Sequence, residues 1–192
     1  MANKNEFNMV IFGTGGQGLI TLLQIIAEAA LDQGFDVKTS ELHGLSQRGG
    51  SVEVHIRFGS KIYSPLIERS KANLVLALEA QESLRGAYFA NSQTAFIINK
   101  QIIPIVSSKG FSLEEISSIL KKVSQKIVFS DASAICQKEL GTAVVSGVYL
   151  IGLASRQKLI PLSEKAIIKA IGKVIPKQYL ELNLKAFKLA EN

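Results

Sequence analysis

The chain has 192 residues, 47% of them hydrophobic and 20% charged, with a formal net charge of +6. That balance describes a globular protein with a sizeable core rather than a disordered one. A single cysteine, Cys136, excludes an internal disulfide framework and cannot alone ligate structural zinc or an iron–sulfur cluster. No apolar run reaches the roughly 18 residues of a membrane span.

Residues 1–6 have no secretory character, so the cytoplasm is the expected compartment. Residues 7–12 read as a buried strand running into Gly13-Thr14-Gly15-Gly16-Gln17-Gly18. Leu19, Leu22, Leu23, Ile26 and Ala30 then keep helical spacing until Gly34. A strand at 35–40 completes a βαβ unit with a glycine turn at its apex. Residues 51–58 alternate strictly, and Gly59-Ser60 is expected to turn them into 61–63 as an antiparallel hairpin.

Residues 73–78 form a continuous apolar strand, with Glu79 opening a helix. Further strands are expected at 94–98, closing at Asn99, and at 102–106, interrupted by Pro104. Ser112-Leu113-Glu114-Glu115 is a capping-box start for a helix to 123. A strand at 126–130 leads to Asp131, which can cap the next helix. Helices at 143–154, 163–171 and 178–190 make a helical C-terminal tail. The expected fold is α/β: one three-layer, Rossmann-like domain over 1–192, with a mostly parallel but mixed sheet. Residues 1–96 hold 8 basic and 9 acidic side chains, and 97–192 hold 14 and 7. No arginine stripe or interleaved aromatics mark a nucleic-acid surface. Lys165, Lys169, Lys173 and Lys177 recur every four residues, as on a solvated helix face.

Parallel strands would gather the residues after them at the carboxyl edge, where open α/β sheets bind ligands. Glu79 and Asn99 are candidates there. Gly13, Gly15 and Gly18 satisfy G-x-G-x-x-G between strand and helix, and three readings stay open. The turn 13–18, including Thr14, Gly16 and Gln17, could cradle an anion; it could simply let strand and helix pack closely; or it could hold a nicotinamide or flavin cofactor. In the last case Glu41, 23 residues beyond Gly18, would hold the ribose. The segment from Glu41 to Gly50 concentrates Glu41, His43, Ser46, Gln47 and Arg48 between glycines, which suits a binding loop. Arg48 can bond a carboxylate or phosphate in bidentate fashion. Glu41 could orient His43, a candidate catalytic group. His55 reads as packing, and Cys136 as an inert core thiol.

Together these motifs are specific. Gly13-x-Gly-Gly-Gln-Gly18, then Glu41-x-His-Gly-x-Ser-Gln-Arg-Gly-Gly-x-Val-x-x-His-Ile-Arg57, resembles the gamma subunit or gamma domain of the 2-oxoacid:ferredoxin oxidoreductases. Ala77-Leu78-Glu79 and Ile97-Ile98-Asn99 match in order, and the tail from Leu159 to Phe187 looks most like the small subunit of indolepyruvate ferredoxin oxidoreductases. The family pattern departs at Ser70 (usually glycine), Asn73 (aspartate), Gly147 (often asparagine) and Ala190 (glycine).

The resemblance implies oxidative decarboxylation of a 2-oxoacid, with ferredoxin as electron acceptor and coenzyme A as acyl acceptor. It implies that thiamine diphosphate, magnesium and [4Fe–4S] clusters sit on a larger partner subunit, with no metal on this chain. The expected form is then a hetero-oligomer whose isolated small subunit is inactive and self-associates. The turn 13–18 becomes a coenzyme A candidate, and Glu41, His43, Ser46, Gln47, Arg48 and Gly49 a partner-facing loop. Alternatives are the gamma subunit of a pyruvate- or 2-ketoisovalerate-type enzyme, or a stand-alone nucleotide-binding oxidoreductase or regulator.

Overall fold

The computed structural model describes residues 6–44, 50–104 and 110–190. Its centre is set by two apolar runs. β1 (Phe7–Thr14) and β4 (Leu74–Ala77) bury side chains on both faces, so neither alternates in polarity. They pair in parallel from Met9 with Leu74 to Phe12 with Ala77. β5 (Ala95–Asn99) and β6 (Lys126–Ser130) extend the parallel half. On the other side β3 (Ser51–Gly59) lies antiparallel to β1, and β2 (Asp36–His43) lies antiparallel to β3 at the sheet edge. The strand order is β2-β3-β1-β4-β5-β6.

Two local expectations change here. The helix after β1 does lead to β2, but β3 inserts between them, so β1 and β2 do not pair. The antiparallel hairpin is β2–β3; residues 61–63 form no strand. Arg57 explains why: its guanidinium donates to the carbonyls of Ser64 and Leu66 and pulls that segment back as a loop. The buried Ile62 plugs it, and the Ile62 amide donates to Asp36 Oδ2. Of the short strand expected at 102–106, residues 102–104 are irregular and the remainder lies outside the described residues.

Helices cover both faces. α1 (Leu19–Asp32), α3 (Ala132–Leu140), α4 (Ser146–Arg156), α5 (Glu164–Val174) and α6 (Lys177–Leu189) share one core with Met9, Ile11, Val54 and Ile56. A 3₁₀ helix at Gln81–Tyr88 and α2 (Leu113–Leu120) close the opposite core around Val10, Phe12 and Phe96. Glu79 therefore precedes a 3₁₀ rather than an α-helix. The Ser112–Glu115 capping box forms with both reciprocal bonds. Asp131 occupies the N-cap position of α3 without capping it; its carboxylate takes Lys100 Nζ at 2.7 Å instead. The lysine stripe is not wholly solvated, because Lys169 pairs with Asp32 and Lys173 with Glu28 of the adjacent α1. No helix of the described residues is long and apolar enough to cross a membrane.

Candidate functional site

The strands β1, β2, β4, β5 and β6 all end at one edge of the sheet, which collects the loops that the sequence marks as functional. Within the turn after β1, Gly13 is a packing residue. A Cβ there would stand 2.7 Å from Gln17 Oε1 and 3.2 Å from both Leu19 Cδ1 and Leu78 Cβ. Gly16 and Gly18 are needed for conformation instead, with φ of 101° and 78°. Much of the turn's hydrogen-bonding capacity is already used. The Thr14 amide donates to Gln17 Oε1 at 2.8 Å, Gln17 N to the Thr14 carbonyl, and Gly15 N to the Gly50 carbonyl at 2.9 Å. Gly18 caps α1 without a side-chain bond, and no acidic residue occupies the first turn. Any anion would therefore meet the α1 N-terminus rather than a full ring of turn amides.

A cleft of about 370 Å³ opens beside that N-terminus. Leu22, Val145, Val148, Ile175 and Leu182 give it apolar walls, and Asn183 and Gln17 contribute amides. Gly147 lines it too; a Cβ there would reach within 2.7 Å of Leu22 Cδ1.

Glu41 and His43 lie together on β2, with Oε2 and Nε2 3.5 Å apart, and both are exposed. Their register puts His43 beside Val52, and Val52 beside Gly13. The interposed β3 thus holds Glu41's strand two strand spacings, about 10 Å, from β1. A ribose-binding carboxylate needs the strand next to the glycine turn, so the dinucleotide geometry is not formed. Ser46, Gln47, Arg48 and Gly49 lie outside the described residues.

Glu79 and Asn99 are buried clamps. Glu79 Oε2 accepts the Glu82 amide at 2.8 Å and Oε1 the Ile103 amide at 3.0 Å, joining the segments after β4 and β5. Asn99 Nδ2 donates to the Leu78 carbonyl and to Ser133 Oγ, while Oδ1 accepts the Ser133 amide. Both side chains hold loops together.

Sequence reasoning missed a polar network on the 3₁₀-helix face. The Ile67 amide donates to His55 Nδ1 at 3.1 Å, so that nitrogen is unprotonated and Nε2–H donates to Glu53 Oε1 at 2.7 Å. Glu53 Oε2 takes Arg85, which also reaches Glu82 and lies 5.3 Å above the Phe12 ring. Glu82 Oε1 accepts the Ser51 hydroxyl at 2.6 Å. Only the alternating position of Glu53 and His55 hinted at it, since Arg85 and Glu82 are remote in sequence. Burial pushes the Cys136 thiol up to about 11, which makes it a poor nucleophile or metal ligand. Among the described residues no three His, Cys, Asp or Glu side chains are grouped to hold a metal.

Residues 8–192 match the family described as Pyruvate ferredoxin/flavodoxin oxidoreductase. Indolepyruvate oxidoreductase subunit IorB of Archaeoglobus fulgidus is 38% identical to this chain, covering 97% of it and 94% of that protein. The same subunit of Pyrococcus horikoshii is 35% identical, covering 96% and 94%. The crystal structure of pyruvate oxidoreductase subunit PORC from Thermotoga maritima is similar at a TM-score of 0.71 and 20% identity, covering 97% of this chain and 96% of that one. A structure of 2-oxoglutarate:ferredoxin oxidoreductase from Magnetococcus marinus gives 0.72 at 19% identity, covering 98% of this chain but 31% of that longer one. The structural likenesses carry the fold, and the sequence relationships carry the kinship. The chain belongs to the pyruvate ferredoxin/flavodoxin oxidoreductase family, as one subunit of an oxidoreductase of that kind.

Proposed function

We propose that this chain is the small, non-redox subunit of an indolepyruvate-type ferredoxin oxidoreductase, acting in the cytoplasm. The observation that carries this reading is near-full-length identity of 38% to an IorB subunit, against 28–29% to the common gamma subunits of pyruvate/ketoisovalerate oxidoreductases. The reaction is oxidative decarboxylation of a 2-oxoacid to its acyl-coenzyme A, with electrons passed to ferredoxin. The [4Fe–4S] clusters are assigned to a larger partner subunit because the one cysteine here is buried and held protonated, and thiamine diphosphate with magnesium is assigned there by the family resemblance.

The chain's own contribution is a wall of the site and an interface. Tyr63 and Val144, 83% and 85% exposed, are apolar surface that suits a partner and would favour self-association without one. His43 oriented by Glu41 stands at the exposed edge, and Ser46, Gln47, Arg48 and Gly49 continue that partner-facing segment on sequence grounds. The uncapped α1 N-terminus after Gly18 would take the pyrophosphate of coenzyme A, with the adjacent cleft beside it. The Magnetococcus relative was solved with 2-oxoglutarate, coenzyme A and succinyl-CoA bound.

Co-expression with a large thiamine-diphosphate and iron–sulfur subunit tests the reading. A tight complex should reduce ferredoxin with indolepyruvate and coenzyme A, while the isolated chain stays colourless and inactive. Stoichiometric iron and sulfide in the isolated chain, or no association with the large subunit, would overturn it. Preference for pyruvate or 2-ketoisovalerate over indolepyruvate would shift the assignment to the other subclass.

A further inference from the structure

Glu82 is where the polar network branches toward the carboxyl edge, and we infer that it is a positioning residue for the glycine turn. Both carboxylate oxygens and the amide of Glu82 are committed. Oε1 accepts the Ser51 hydroxyl at 2.6 Å, Oε2 accepts Arg85 Nη1 at 3.2 Å, and its amide donates to Glu79 Oε2 at 2.8 Å. Ser51 opens β3 directly opposite Thr14, the last residue of β1. The preceding carbonyl, on Gly50, accepts the Gly15 amide at 2.9 Å. A carboxylate behind β4 therefore reaches the turn after β1 through one hydroxyl and one carbonyl.

This linkage matters because few contacts among the described residues grip the turn from outside, the donation of Gln17 Nε2 to the Leu78 carbonyl at 3.4 Å being another. Positions where Gly16 and Gly18 would carry a Cβ have no heavy atom of the described residues within 4 Å. Apolar packing fixes Gly13 at the inner end, but the outer end hangs on hydrogen bonds. Those bonds are directional and lose strength quickly when misaligned, so they set position more sharply than apolar contact does. Glu82 is itself held, since Arg85 is fixed by Glu53 at 2.9 Å and lies over Phe12. The Glu53–Arg85 pair thus braces Glu82, Glu82 holds Ser51, and Ser51 fixes the strand entry to which Gly15 is bonded. For the proposed enzyme, this would place the turn against whatever substrate group it meets; that part rests on the oxidoreductase reading.

The test has one arm independent of that reading. In the full chain, amide exchange at Gly15 should accelerate at least ten-fold in Ser51→Ala and in Glu82→Ala, with Val75 in β4 unchanged as the core reference. Ser51→Thr, which keeps the hydroxyl, should stay within about two-fold of wild type. Wild-type exchange at Gly15 in Ser51→Ala would overturn the linkage. In the reconstituted enzyme, Ser51→Ala should raise KM for coenzyme A or the 2-oxoacid at least ten-fold more than it lowers kcat. Faster Gly15 exchange with unaltered KM and kcat would overturn the positioning role. A wild-type assembly without activity would instead defeat the oxidoreductase reading, leaving the exchange arm to decide the linkage.

Discussion

The amide of Gly15 donates to the carbonyl of Gly50 across 2.9 Å, joining two glycine segments that lie 35 positions apart in the chain. One consequence is subtractive, since that amide is no longer offered to an anion. The other is constructive. The end of β1 and the entry to β3 behave as one unit, and a change in either should be felt at both.

Gly13→Ala probes the packed end of that unit. The added methyl would meet Gln17 Oε1 at 2.7 Å, and Gln17 must then give up the Thr14 amide that it caps. Overpacking of this sort costs about 1–3 kcal/mol. Chemical denaturation should show a loss in that range, and wild-type stability would mean that the turn is looser than its contacts indicate.

Ser70 sits in the left-handed region with φ of 59°, a conformation that favours glycine. The Ser70 amide donates to the Tyr88 carbonyl and its own carbonyl accepts Asn91 Nδ2, so the strained conformation is held from both sides. Ser70→Gly should stabilise the chain by about 1 kcal/mol, the left-handed penalty less the extra freedom of glycine when unfolded. A lower thermal midpoint would contradict this account.

Glu79→Ala removes one side chain but orphans two amides, those of Glu82 and Ile103. Hydrogen bonds to a charged acceptor contribute about 1.5–3 kcal/mol each, so a loss of about 3 kcal/mol is expected. Glu79→Gln keeps one acceptor oxygen and should cost less. Equal stability of the two variants would show that the carboxylate does not clamp the two loops.

Cys136 should resist thiol reagents in the native protein at neutral pH, because burial raises it from the ordinary 9.0 to about 11. The unfolded thiol ionises first as pH rises, so the folded state holds its full stability below 9.0 and loses it on the way through 11. Cys136→Ala should flatten that alkaline decline. Rapid labelling of the folded chain at pH 7 would refute the assignment.

Asn8, Asn73 and Arg57 show how the sequence and the tertiary structure divide the information. Local chemistry determined most elements: the double-sided apolar runs of β1 and β4, the Ser112–Glu115 capping box and the glycine turn before α1 are all legible from residue order, because each rests on contacts within a few positions. Local chemistry also made Glu41 and His43 neighbours, since i and i+2 share a face of a strand. It did not reveal that β3 would slip between β1 and β2, which depends on strand pairing between distant segments and removes the ribose-binding reading. It did not show that residues 61–63 would curl away, which Arg57 decides through the carbonyls of Ser64 and Leu66 while its Nε bonds Asn8 Oδ1. Nor did it show that Asn73 would take the Asn8 amide, 65 positions away. The roles of Glu79, Asn99, Glu82 and Arg85 belong to the same class. A polar side chain names the bonds it is able to make, but burial beside a particular partner decides which of them it makes, and only the folded chain brings that partner within 3 Å.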